Sequence, residues 1–542
     1  MKRLPEGCSM YEAVQLNPSG STVRTALSFF GRRYSFEEVL ARIDLLADNL
    51  AADLGIKKGD VVTLCLPNSP AAVFALYAVN KLGGVVSPAH PLLPPEKLAD
   101  VIRRTSSRLL IVSDSYTGDL SNIGVRTLVS DNARYMDLPT RMAFRLFHRP
   151  SSRGESFEKY LRDRKNPRVS ACAFAADEPA VYLSSGGTTG EPKIIVHGND
   201  VFNRLCCKAE EFLSRPLGEY AAIYDVVPIF HGYGLCMNVH MCMLMRRTNV
   251  LCLRFSARRC AKEIVRTRAN ILMGVPTMFR KLLSEPAFTE ADLSHIKDVY
   301  VGGDDVPQPL IDAFDAVLAR GGSSAHMYVG YGMTEAVNVC FVNTRAHHRA
   351  GSVGYPLSGT RAAIVREGKS LPAGETGEIC LSSDQFMLGY LGEPAAFSER
   401  EGTRWLATGD CGYLDEDGFL YFKQRIKNVL KVSGVPVYPS EVEAAALSVA
   451  GVAKACAVGE TDALRGQAVC LFVECEPGAD RAACRKNIEQ MCARRLIRYA
   501  RPRRILFEDA LPLSAVGKID RVALEAKAKQ AEKSRGASRG KK

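Results

Sequence analysis

Several things are missing from this 542-residue chain, and each absence narrows what it does. No apolar run reaches the roughly 18 residues that a membrane-crossing helix needs. The nearest, "LCMNVHMCMLM" from Leu235, is short and runs into Arg246-Arg247. The first thirty residues hold no apolar core of the signal-peptide kind. No C-x-x-C pair completes a zinc set around Cys236, His240 and Cys242, so a buried helix is the expectation there. Without an export signal, the seventeen cysteines read as reduced, buried thiols rather than a disulfide frame. Together these absences predict a soluble cytoplasmic protein.

The body of the chain also lacks net charge. Residues 141–168 carry nine Lys/Arg against three acids, and the tail 527–542 carries seven against one, so these two segments account for the whole formal charge of +12. A nucleic-acid-binding fold would spread its charge over the folded surface, so nucleic acid is not an expected partner. The low-complexity basic tail reads as disordered. The segment "RMAFRLFHR" from Arg141 leaves open a weak contact with a membrane surface.

What is present is an alternation of helices and strands. Ser35 and Glu38 form a capping box that opens the periodic stretch "FEEVLARIDLLADNLAADLGI". "VVTLCL" from Val61, a helix from about Ala71 to Lys81 and "GVVSPA" then make a strand–helix–strand unit. The rhythm returns in "RCAKEIVRTRANILMGVP" and "PLIDAFDAVLARGGSSAHMYVGYG", which predicts α/β layers with largely parallel sheets. After about residue 424 the segments have the size and texture of a small α+β domain. The expected division is 1–424 for a large domain, 425–428 for a hinge, 429–525 for a small domain and 526–542 for the tail.

Between the strand-like "AVYL" and "IIV" stands "SSGGTTGEPK", from Ser184. Such a loop suits a phosphate, because bare backbone N–H groups can surround an anion. It is not a Walker loop: Glu191 and Pro192 separate the last glycine from Lys193, and Ile194 follows. Nor does Gly330-Tyr331-Gly332 complete a dinucleotide fingerprint, since Glu335 stands where the last glycine belongs. Taken with "PIFHGYG", "YVGYGMTEA", "ATGDCGYLDEDGFLYFKQRIKNVLKVSGVPVYPSEVE" and "LPLSAVGKIDR" in that order, the loop resembles the adenylate-forming superfamily over about residues 25–525. That superfamily contains acyl- and aryl-CoA synthetases, peptide-synthetase adenylation domains and beetle luciferases.

The resemblance implies a large N-terminal domain of layered sheets and helices, a small mobile α+β C-terminal domain, and the cofactors Mg²⁺, ATP and CoA. It implies that Ser185, Gly186, Gly187, Thr188, Thr189, Gly190 and Lys193 close over the phosphates. Glu335 and Thr188 would hold Mg²⁺, and Tyr331 would stack on adenine beside Gly332, Met333 and Thr334. Gly302, Gly303 and Asp304 would form the other wall. Asp410 would accept the ribose hydroxyls, since its carboxylate oxygens only accept. Phe422 and Arg425 would adjoin the nucleotide, and Lys518 would bridge carboxylate and α-phosphate as the catalytic cation. Lys431, Ser433 and Gly434 would border the CoA channel, reached by rotation about a hinge at Asn428, where the superfamily usually has Asp.

The resemblance places His231 in the acid pocket as a catalytic candidate, with Tyr233, Gly234, Gly303 and Gly330. No aspartate stands in "PIFHGYGLCMN" to pair an amine, so an acid with a neutral tail is expected, a fatty acid first and aryl or steroid-like acids behind it. A carrier-protein phosphopantetheine stays open as an alternative acceptor to CoA.

Overall fold

The structure, a computed structural model, describes residues 4–16, 23–148, 150–152, 154–162, 166–185, 193–393, 396–400, 402–433, 435–462, 465–513 and 519–539, with the side chains of 436 and 531–539 excepted. The chain separates into two compact units. Among the described residues, one unit holds the chain up to Arg361 and Ser382–Arg404; the other holds Ala362–Leu381 and Trp405 onward.

The first unit is built on two large sheets. A nine-stranded sheet runs, in spatial order, Tyr355–Pro356, Val339–Val342, Met327–Gly332, Asp298–Gly302, Ile271–Gly274, Ala222–Asp225, Thr248–Leu251, Thr25–Phe29 and Arg32–Ser35. Its central pairings are parallel, and the returning helices Ala257–Thr267, Pro276–Leu282 and Gln308–Arg320 bury Ile264, Phe279 and Phe314 against it. This is the alternation that the sequence predicts. An eight-stranded sheet includes Val61–Cys65, Val85–Pro88, Val181–Ser184 and Ile194–His197. Between the first two of these runs the helix Pro70–Lys81, all of whose residues are buried. The N-cap half of the box forms: Glu38 N–H donates to Ser35 Oγ at 3.0 Å while the Glu38 carboxylate takes Arg32 and Arg42, and Gly55 closes the helix Phe36–Leu54 in the left-handed conformation.

The second unit contains a five-stranded sheet. Val435–Val437, Leu430–Val432, Gly466–Cys475 and Val452–Asp462 lie in that order, and Arg504–Glu508 pairs parallel with Gly466–Cys475. Leu471, Ile488 and Val442 fill one face. The helix Arg521–Arg539 covers the other, burying Leu524 and Ala528 beside Phe472. The helix runs to Arg539, through part of the segment 526–542 that the sequence reads as disordered: a run rich in Ala, Lys and Glu has high helix propensity, and Leu524 and Ala528 dock its N-terminal turns. Among the described residues no helix is long and apolar enough to cross a membrane.

Candidate active site

The two segments that flank the Gly/Thr loop in sequence form paired strands. Val181–Ser184 and Ile194–His197 pair antiparallel, with Ser184 opposite Ile194. The hairpin is closed at its base by Ser185 N–H to Lys193 O at 2.9 Å and Lys193 N–H to Ser185 Oγ at 3.0 Å. Gly186, Gly187, Thr188, Thr189 and Gly190 lie outside the described residues, as do Gly434 and Lys518.

Around that base the first unit assembles a polar cluster. Tyr390 Oη donates to Glu335 Oε1 at 3.0 Å, and Lys193 Nζ lies 4.3 Å from the centre of the Tyr390 ring and 2.6 Å from Glu393 Oε2. Burial, then the charge of Glu335, raises the Tyr390 hydroxyl pKa, so it stays a donor. Glu335 rides on the turn Thr334–Ala336, which is fixed from behind by His197. That buried imidazole donates its Nε2–H to Thr334 O at 2.8 Å, and burial pushes it down to about 4, so it is neutral. Met387 N–H donates to Glu335 O at 2.7 Å.

The turn ends in strain. Val337 is held at φ +65° by Asn338 N–H donating to Ala336 O at 2.7 Å, a γ-turn in a region that a β-branched residue avoids. Its carbonyl presses on the Cα of Gly232, where a Cβ would lie 1.9 Å from Val337 O.

Tyr331 and Gly332 end the strand Met327–Gly332, and Gly302 ends its neighbour Asp298–Gly302. With Gly303 and Gly330 they line one wall of a cavity holding about 520 Å³ of space, its open mouth included. Tyr233, Met237, Met273 and Val342 are among the residues that line the rest, and among the described residues no charged side chain does. Tyr233 and Met237 project from Tyr233–His240, which is a π-helix, a form that appears mostly at functional sites. Met333 N–H donates to Asn338 O at 3.0 Å, while Asp304 is exposed beyond the glycine wall.

His231 precedes this helix, half-buried, its ring 4.7 Å from that of Phe230. The space beside Gly234 is filled by main chain: a Cβ there would meet Pro228 O at 2.3 Å. This glycine thus serves backbone packing and does not open room for a substrate tail. His240, in the Cys/His cluster, has both nitrogens engaged, Nδ1 with Tyr77 Oη at 3.0 Å and Nε2 with Asn203 Oδ1 at 2.9 Å. Among the described residues no group of three or more His, Cys, Asp or Glu is placed to hold a metal.

Beneath the π-helix lies a feature with no sequence signal. The fully buried Asp225 accepts from Asn68 at 3.1 Å, Asn238 at 2.9 Å and Asn249 at 3.1 Å. Burial pushes its carboxyl up to about 7 against the lowering effect of the Asn238 and Asn249 amides.

In the second unit Asp410 and Arg425 stand opposite each other on paired strands, Arg425 Nε 2.8 Å from Asp410 Oδ1. Asp410 is 2% exposed, and its N–H donates to Thr408 Oγ1 at 3.0 Å. Phe422 is half-buried on the same strand as Arg425. Asn428 ends the turn Ile426–Asn428, where burial, then the Arg425 charge, lowers the amine of Lys427. Lys431 is exposed, and its N–H donates to Gln467 Oε1 at 2.7 Å. Ser433, at φ +54°, opens the tight turn between Leu430–Val432 and Val435–Val437.

With the geometry in hand, comparison with known proteins gives a consistent answer. Residues 15–391 match the AMP-binding enzyme family, and residues 441–518 match the AMP-binding enzyme C-terminal domain. A long-chain-fatty-acid–CoA ligase of Bacillus subtilis (strain 168) is 29% identical over 515 residues, covering 92% of this chain and 90% of that protein. A fatty acid–[acyl-carrier-protein] ligase, ScoC, of Streptomyces coeruleorubidus is 28% identical over 503 residues, covering 90% of each. Among solved structures, the anthranilate CoA ligase AuaEII in complex with anthranoyl-AMP shares the fold with a TM-score of 0.82 at 24% identity, over 98% of this chain and 99% of that one. The chain belongs to the AMP-binding enzyme family, and so to the adenylate-forming acid–thiol ligases.

Proposed function

We propose that the chain activates a medium- or long-chain fatty acid with ATP and then transfers the acyl group to CoA. The observation that carries the acid assignment is the cavity, whose walls among the described residues include Phe212, Met237, Met273, Val339 and Val342 and no charged side chain. Each methylene buried in such a place is worth about 0.8 kcal/mol, so the cavity favours an extended neutral tail over an amine-bearing one. The names of the two sequence relatives support the same reading.

In the first half-reaction a carboxylate oxygen attacks the α-phosphorus, the bond to pyrophosphate breaks, and an acyl-adenylate remains. Both reactants are anions, so the site must supply positive charge where charge develops. Lys518 is assigned to bridge the carboxylate and α-phosphate, and Arg425 to reach the ribose or the phosphates. Asp410 accepts the ribose hydroxyls, and Tyr331 stacks on adenine. His231 is assigned to the acid pocket near the carboxylate.

Glu335 fits a hard cation: it is a carboxylate whose direction is set by Tyr390, and Mg²⁺ takes few protein oxygens. With Thr188 it would hold Mg²⁺, which neutralises phosphate charge when bound. In the second half-reaction a thiolate attacks the acyl carbonyl and AMP leaves. Rotation about residues 425–428 exchanges Lys518 for Ser433 and Gly434 at the reacting centre.

Pyrophosphate release across saturated acids of graded length and a set of aryl acids tests the reading. The expected maximum falls on a medium or long chain. Faster release with an aryl acid replaces the substrate class, and no release with any acid sinks the enzymatic reading. A second reading, transfer to a carrier-protein phosphopantetheine, is favoured by the name of the Streptomyces relative. Offering CoA and a holo carrier protein as competing acceptors decides between the two.

A further inference from the structure

The helix Leu138–Phe147 is folded inside out. None of its residues is buried, and its large apolar side chains face solvent: Leu138 and Met142 are each 65% exposed, Leu146 80% and Phe147 92%. Leu138, Met142 and Leu146 are spaced four apart, so they form one stripe along the helix, with Phe147 at its end.

The inward face carries Arg141 and one half-buried aromatic ring, Phe144, which also lies 4.6 Å from the His148 ring. Arg141 Nε donates to Ala133 O at 3.0 Å and its Nη2 to Met136 O at 3.2 Å, and Phe144 meets Phe30 only edge-on at 6.4 Å. Asp137 caps the helix through Thr140 N–H at 2.8 Å, and Asp131 takes Arg145 at 2.7 Å and Arg134 at 3.5 Å. The fold thus holds the helix by polar contacts and leaves its apolar side uncovered.

The charge of the stretch says what covers it. From residue 138 to 154 the sequence holds Arg141, Arg145, Arg149 and Arg153, with His148 and no acid. An exposed apolar stripe within a stretch whose sequence is basic and acid-free is the pattern of a helix that lies in the interface of an anionic bilayer, with its apolar side chains among the acyl chains. A second copy of this chain fits less well, since a two-fold contact would set the same acid-free stretch against itself.

We propose that the helix Leu138–Phe147 docks this protein on anionic lipid membranes. The inference stands apart from the acid assignment, because lipid binding is read with no acid, ATP or CoA present.

The test is sedimentation of the full chain with phosphatidylcholine vesicles and with vesicles containing phosphatidylglycerol, for the natural protein and a Leu146→Ser/Phe147→Ser variant. Both side chains are exposed, so the variant should melt at the natural temperature. The expected result is binding to the anionic vesicles only, weakened by salt, and at least about 10-fold weaker in the variant, in line with the lost apolar area. Equal binding by the variant would move the contact to the basic C-terminal segment and overturn the proposal. So would no binding by the natural protein, or a lipid-free dimer that the variant abolishes.

Discussion

Gly332 and Gly409 each stand next to a residue assigned to the nucleotide, Tyr331 and Asp410, yet they are glycine for opposite reasons. Gly332 has no room: a Cβ would lie 1.7 Å from Asn338 O. Gly409 has open space around it but sits at φ +70°, where the paired strand bulges before Asp410. In the first unit the wall is set by main chain packed on main chain. In the second, a local backbone angle aims a buried carboxylate. The first arrangement resists any added atom, whereas the second resists only a change of angle.

The sharpest test of the second unit is Asp410→Ala, which removes the acceptor proposed for the ribose hydroxyls. Pyrophosphate release is expected to fall by roughly 10²–10³, on the scale of losing a pre-organised polar contact at a reacting centre. Gly332→Ala comes next. The Asn338 turn must shift, and with it the strained Val337, so adenylation should fall by about 10²-fold in a protein of lowered melting temperature.

Tyr390→Phe unties Glu335 without altering either wall. A lost hydrogen bond to a charged group costs about 1.5–3 kcal/mol, so the Mg²⁺ concentration for half-maximal release should rise roughly 10-fold or more. Gly409→Ala is expected to have the smallest effect among the activity variants, about 1 kcal/mol of stability with adenylation held within a few-fold. Equal losses from the two alanine substitutions would break the comparison.

Asp225 gives a test by pH. Its folded pKa, about 7, lies above the ordinary carboxyl value, so the folded state binds the extra proton. That contribution is complete below about pH 4 and is lost as pH rises through 7. Asp225 therefore pulls the melting temperature down between pH 5 and 8, against the buried imidazoles of His197 and His240, whose lowered pKa values pull it up over the lower part of that range, and Asp225→Asn should remove only the downward part in differential scanning fluorimetry.

Local signals carried much of this architecture. The Ser35–Glu38 cap, the Pro70–Lys81 helix between two strands, and the paired strands flanking the Gly/Thr loop are all contacts between residues near in sequence. The glycine walls were legible because backbone approach demands a specific residue type. Tyr390 and Glu393 were not, since a tyrosine and a glutamate near a strand end look like surface residues until the fold brings them to Glu335 and Lys193. The amide cage of Asp225 was equally silent, because Asn68 is 157 positions away. A π-helix has no periodicity of its own to announce it, and a basic C-terminal run gave no hint that Leu524 and Ala528 would anchor it.

The pressed contact between Val337 and Gly232 joins two chemistries that are usually discussed apart. The segment carrying Glu335, proposed to hold the metal, and the segment leading into the π-helix, proposed to bind the tail, are in direct main-chain contact, because the Val337 carbonyl fills the space a side chain at Gly232 would take. Filling the greasy end of the site should therefore be felt at the ionic end. An acid too short to seat the helix would lose turnover through a misaimed Glu335, even where its own carboxylate sits correctly.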